Sequence, residues 1–130
     1  MNKRDYGKVG ETTAGEFLKA RGFEIIGRNV YVGRCEIDII AAGHGLLLFV
    51  EVKTRRQEPG GQSVYGRPGS ALTKTKRENL IAAATGYIHE NPETAGDLQP
   101  RIDLIEVYAD PRSKEYGVLD VVHIPNAVHK

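Results

Sequence analysis

The chain has 130 residues, 40% hydrophobic and 27% charged, which is close to globular averages and excludes a disordered or collagen-like protein. That length suits a single domain spanning residues 1–130. A net charge of +1, a lone cysteine (Cys35), no apolar run near the ~18 residues of a membrane span and no apolar signal segment after Met1 exclude a disulfide framework and a cysteine-built zinc site, and lead to the expectation of a cytoplasmic protein without membrane partners.

Ala14, Phe17 and Leu18 give a modest apolar stripe at helical spacing, which predicts a helix from about Asp5 to Arg21. Asp5 is a candidate N-cap and Gly22 a candidate C′ residue. Gly7, Gly10 and Gly15 oppose this helix by roughly 1 kcal/mol each against alanine, a cost that close packing would explain. Phe23 to Val32 reads as a strand broken near Gly27. Cys35 to Ala42 and Leu46 to Thr54 read as a hairpin turning at Gly43-His44-Gly45. Arg55 to Gly69, rich in Gly, Pro, Gln and Ser, reads as a long loop. Leu72, Leu80, Ile81, Ala84, Tyr87 and Ile88 predict a helix within Ala71 to Asn91, starting at a Thr75–Glu78 capping box, at Ser70 or at Thr73. Strands over Ile102 to Tyr108 and Val118 to Ile124 complete the order α-β-β-β-α-β-β, an α/β fold with a mixed central sheet flanked by helices.

Charge is unevenly spread. The window from Lys53 to Arg77 holds seven basic residues and one acid, Glu58, leaving 11 basic and 16 acidic residues elsewhere. A basic stretch in an otherwise acidic chain is a candidate nucleic-acid surface, with Arg55, Arg56, Arg67, Lys74, Lys76 and Arg77 as phosphate contacts. A solvated loop and helix face would carry the same charges.

The hairpin carries the chemistry. In Leu48-Phe49-Val50-Glu51-Val52-Lys53, Glu51 and Lys53 share one face of an otherwise apolar strand. With His44-Gly45 as the turn, Asp38 lies opposite Glu51 and Glu36 opposite Lys53, all four on one face. Opposed carboxylates repel unless positive charge lies between them, from Lys53 or from a divalent cation. Asp38, Glu51 and the Val52 carbonyl could hold Mg²⁺ or Mn²⁺, hard cations that prefer oxygen ligands. Lys53 would then stabilise charge during phosphodiester hydrolysis. A salt-bridged sheet surface is the competing reading of the same residues.

The strings CEIDII, LLLFVEVKTR and GKVGETTAGEFLKARGFEIIGRN, followed by RIDLIEV and HIPNA, resemble the YraN-type family of bacterial proteins. That family sits in the PD-(D/E)XK, restriction-endonuclease-like superfamily, near the archaeal Holliday-junction resolvases. The resemblance runs from Gly7 to about Ala127 and implies a nuclease-like fold. It implies Glu11 as a helix-borne catalytic acid, Asp38 as a metal-binding aspartate, and Glu51 and Lys53 as the E-x-K pair. Glu36 matches the acid of the family's Gly-Glu-Ile-Asp string, with Cys35 standing where that family usually has glycine. The expected function is a metal-dependent DNA endonuclease acting on branched or nicked DNA. A homodimer is one expected arrangement, since the chain has no room for a separate recognition domain. The alternative is a catalytically silent nucleic-acid-binding or adaptor module with the same fold.

Overall fold

The computed structural model describes residues 3–56, 72–110 and 117–129. Its elements are α1 (Lys3–Ala20), β1 (Glu24–Val32), β2 (Cys35–Gly43), β3 (Leu46–Arg56), α2 (Lys74–Glu90), the one-turn α3 (Pro92–Ala95), β4 (Gln99–Ala109) and β5 (Val118–Val128). The order matches the expected one, with α3 added. The strands form one sheet in the order β1-β2-β3-β4-β5, antiparallel except for the parallel pair β3 and β4. A parallel pair needs a crossover, and α2 lies within it.

Each face of the sheet buries its own helix. Ala14 and Leu18 of α1 pack with Ile39, Ala41, Leu48, Val50, Ile105 and Val107. Leu80, Ala83 and Ala84 of α2 pack on the other face with Ile40, Leu47, Phe49 and Ile102. This two-sided cover explains why β3 reads as a nearly continuous apolar run.

Local chemistry sets the element ends. Helix α1 starts at Lys3, earlier than the predicted Asp5 cap. It stops at Gly22 (φ +88°), where Phe23 N–H donates to the Leu18 carbonyl and Gly22 N–H to that of Lys19, the paired bonds of a Schellman motif. Of the three proposed starts for α2, Thr73 is the N-cap; its hydroxyl accepts the Lys76 N–H at 3.1 Å. His44 (φ +54°) and Gly45 (φ +76°) form the β2–β3 turn, a left-handed pair matching the type I′ hairpin. Gly10 explains one helical glycine: a Cβ there would overlap Thr54 Oγ1, so its absence lets α1 approach β3.

Strand β3 continues through Arg56, so Arg55 and Arg56, expected in a loop, are in the strand. The rest of that expected loop, with Arg67, and the helix start offered at Ser70 lie outside the described residues. Among the described residues, no helix is long and apolar enough to cross a membrane.

Candidate functional site

A break in strand alternation creates the site. Ile39 and Ala41 pack on the α1 face and Ile40 on the α2 face, as a regular strand requires. Ile37 should share the face of Ile39, yet it packs on the α2 side. The neighbouring strand slips at the same level: Val30 packs on the α2 side, while Arg28 Nη1 reaches the Glu11 carbonyl of α1 at 3.4 Å. Between them stands Asn29, in the left-handed region at φ +50°, flanked by the ladder pairs Arg28↔Ile39 and Val30↔Ile37.

The β2–β3 ladder stops at the same level. Its register is the expected one from Gly43↔Leu46 to Ile39↔Val50. Beyond that pair, the Asp38 carboxylate accepts the Val52 N–H at 2.8 Å, so a side chain replaces a backbone partner. Val52, whose carbonyl is the expected ligand, thus also offers its N–H to the site.

Three acids converge here. Carboxylate oxygens of Glu11 (α1), Glu36 and Asp38 (β2) lie within 4.8 Å of one another. Asn29 Nδ2 donates to both Glu11 Oε1 and Glu36 Oε1, at 2.8 Å each, and so orients two of the three. Burial pushes the Asp38 carboxyl up to about 7, helped by the Glu51 charge and then by Glu11 and Glu36; the Val52 N–H works in the opposite direction.

Glu51 adjoins this cluster without joining it. It is only 5% exposed. Its Oε1 lies 3.8 Å from Lys53 Nζ and its Oε2 lies 3.1 Å from Lys76 Nζ. The Lys76 approach is off the hydrogen-bonding direction, so the buried Oε2 is ion-paired but accepts no hydrogen bond. Burial disfavours the Lys76 ammonium, but the Glu51 charge and contact outweigh it and raise its pKa. The site therefore draws on both helices, with Glu11 from one and Lys76 from the other.

The model of "Uncharacterised protein family UPF0102" matches residues 10–107. A UPF0102 protein of Caldicellulosiruptor saccharolyticus is 39% identical over 127 residues, covering 98% of this chain and 99% of that one. One from Symbiobacterium thermophilum is 41% identical over 128 residues, covering 97% and 98%. The chain belongs to the UPF0102 family. This is the YraN-type family anticipated from the motifs, and it is restriction-endonuclease-like. Among solved structures, Pyrococcus furiosus SfsA in complex with Ca²⁺ is similar at TM-score 0.43 and 18% identity, over 99% of this chain and 66% of that one.

The segment matched by the UPF0102 model contains every residue of the site, from Glu11 through Asn29, Glu36, Asp38, Glu51 and Lys53 to Lys76. The basic residues expected on its surface divide. Arg55 is buried, with Nε 3.1 Å from Glu106 Oε2, and so stands inside the sheet rather than on a binding face. Lys76 is in the site. Arg56, Lys74 and Arg77 are exposed. Asn29 was not anticipated; an asparagine inside a β-branched run, where strands disfavour it, was the available signal.

Like charge at this site predicts a stability effect in the metal-free protein. The raised Asp38 pKa means that the folded state holds its proton after the unfolded chain, near pKa 3.9, has lost it. Folding stability attributable to Asp38 therefore falls as pH rises from about 4 to about 7. Asp38→Asn removes this penalty while its side-chain oxygen can still accept the Val52 N–H. The variant is expected to be more stable at pH 8 by up to about 4 kcal/mol, with the gain vanishing near pH 4. Urea titrations at the two pH values check this; equal gains at both would mean that the charge is irrelevant.

Proposed function

We propose that this UPF0102 protein is a metal-dependent DNA endonuclease that hydrolyses phosphodiesters in branched or nicked DNA. The observation that carries the reading is the convergence of Glu11, Glu36 and Asp38 beside the Glu51–Lys53 pair. The donor set is all oxygen, as Mg²⁺ or Mn²⁺ prefers. Its span of no more than 4.8 Å accommodates the roughly 4.2 Å between opposite ligands of an octahedral Mg²⁺. Glu11, Glu36 and Asp38 would hold the cation, and Glu51 would join where it exchanges Lys76 for the metal. When bound, the cation would polarise the phosphoryl oxygen and lower the pKa of a bound water.

The chain's own groups do the rest. Asn29 fixes the Glu11 and Glu36 carboxylates before substrate arrives. The Val52 N–H fixes Asp38. Lys53, with about a third of its side chain exposed, is tethered to Glu51 and can reach outward to an anionic oxygen where charge develops. Lys76 offsets the Glu51 charge from the opposite side.

The test is a cleavage panel of linear, nicked, flapped, single-stranded and four-way DNA with Mg²⁺ or Mn²⁺. Cutting of a branched or nicked substrate, abolished by EDTA and by Asp38→Asn, is the expected result. Binding without cleavage under either metal would replace this reading with the silent nucleic-acid-binding module, which the same fold and basic residues would serve.

A further inference from the structure

We propose that the cleft between the β1–β2 turn and α2 holds one unpaired nucleotide of a DNA strand beside the acid cluster. The proposal rests on the nuclease reading above and specifies what that site accepts. The cleft has a volume of about 600 Å³. It shares Glu36 and Lys76 with the acid site, so whatever fills it lies directly next to the carboxylates.

Its shape follows from helix packing. Lys76, Asn79 and Ala83 recur on the cleft-facing side of α2. Three residues further on, Gly86 is so close to β1 that a Cβ there would sit 2.8 Å from Val32 Cγ1. Helix and strand thus touch at Gly86 and stand apart at Lys76, which gives a wedge open toward the acids.

Size and chemistry select the occupant. Ligand pockets of about 300–1,000 Å³ enclose compact organic molecules. A base with its sugar fits this scale, whereas a duplex, whose major groove alone is about 12 Å wide, does not. Val32, Gly33 and Ala83 offer apolar walls for a base, and Asn79 offers an amide for its polar edge. Arg34 supplies positive charge against one lining acid, Glu36, while Lys76 is held by Glu51 at 3.1 Å. The first turn of α2 contains no acid. Lys74, Lys76 and Arg77 crowd that turn, where the helix dipole disfavours cations; Lys76 is met by Glu51 at 3.1 Å and Lys74 lies 3.9 Å from Glu78, while Arg77 is exposed. A phosphodiester strand entering the cleft adds an anion for Arg34 to meet.

Cys35 lines the cleft and is the chain's single cysteine, so it reports occupancy directly. Alkylation by N-ethylmaleimide is followed by mass spectrometry in EDTA, where cleavage is off. A saturating single-stranded DNA 12-mer is expected to slow alkylation about fivefold or more, as for a site that encloses most of its ligand, while a blunt hairpin duplex leaves it nearly unchanged. Ala82→Trp, at an exposed α2 position on the cleft wall, is expected to weaken 12-mer binding about tenfold and to remove the protection. Arg34→Glu, in the exposed turn, is the second variant and should do the same in direction.

A 12-mer that binds by fluorescence anisotropy yet leaves Cys35 alkylating at the free rate would overturn the proposal, as would equal protection by the duplex. Protection with no cleavage of any substrate would support the cleft and remove the nuclease reading. Cleavage with an unprotected Cys35 would do the reverse.

Discussion

Asp103→Ala is expected to lower the melting temperature by roughly 10–20 °C, at a cost of about 3–5 kcal/mol. Asp103 is fully buried on β4 and fully engaged. Arg101 grips it with two bonds, Nε to Oδ1 at 2.8 Å and Nη2 to Oδ2 at 2.9 Å. His123 Nε2 lies 2.7 Å from Oδ2, and the Asn126 N–H donates to Oδ1 at 2.9 Å. Removing the carboxylate strands all three partners and leaves a void between β4 and β5. Burial alone would raise the Asp103 pKa, but His123, Arg101 and the Asn126 N–H outweigh it and hold it below the usual carboxylate range. Its contribution is therefore present above the unfolded value near 3.9 and is lost as pH falls through the native one. Thermal melts of wild type and variant should differ most above about pH 4, with the gap narrowing below it to the cost of the void. Matching melting temperatures at pH 7 would show that the network contributes nothing net.

Lys53→Ala is expected to reduce cleavage by about 10²–10³-fold while leaving DNA affinity within a few-fold of wild type. The reasoning is differential: a cation placed where charge develops in the transition state accelerates the reaction without contributing equally to ground-state binding. The fold should survive, because Glu51 keeps Lys76 at 3.1 Å when Lys53 is removed. Single-turnover cleavage and anisotropy titrations separate the two effects. Equal losses of rate and affinity would make Lys53 a phosphate contact. Unchanged cleavage would exclude it from the chemistry.

Much of this was readable because turn chemistry and periodicity are local. His44-Gly45 suits a two-residue turn, and the turn alone fixes the register that places Asp38 near Glu51. The buried face of α2 was visible in Leu80 and Ala84 at helical spacing. The end of β3 was not, since the apolar run stops at Thr54. What extends the strand is its parallel pairing with β4 and the Arg55–Glu106 ion pair, both long-range in sequence. The acid cluster was half legible. Strict alternation put Glu36, Asp38, Glu51 and Lys53 on one face, but periodicity cannot show a carboxylate displacing a ladder bond, as Asp38 does at Val52 N–H. That substitution aligns Asp38 with Glu11 and Glu36 and leaves Glu51 to two lysines. Lys76, read as a surface phosphate contact, is drawn inward for the same reason.

The two outer strands of the sheet bear on how copies of the chain can meet. An unpaired strand margin is a template on which a second chain can add its own backbone. On β1 the register shifts between Ile25 and Gly27, and Asn29 turns left-handed two residues later. On β5 Pro125 lacks an N–H to offer, Asn126 is left-handed at φ +52°, and the pairing with β4 shifts between Ile102 and Leu104. The regular stretch is short on both margins: β5 pairs with β4 without a shift only from Asp120 to Ile124. The kink that gathers the acids on the inner side of β1 thus also spoils its outer side for recruitment. Backbone addition by a second copy is thus opposed at the kink of β1 and at the Pro125–Asn126 end of β5.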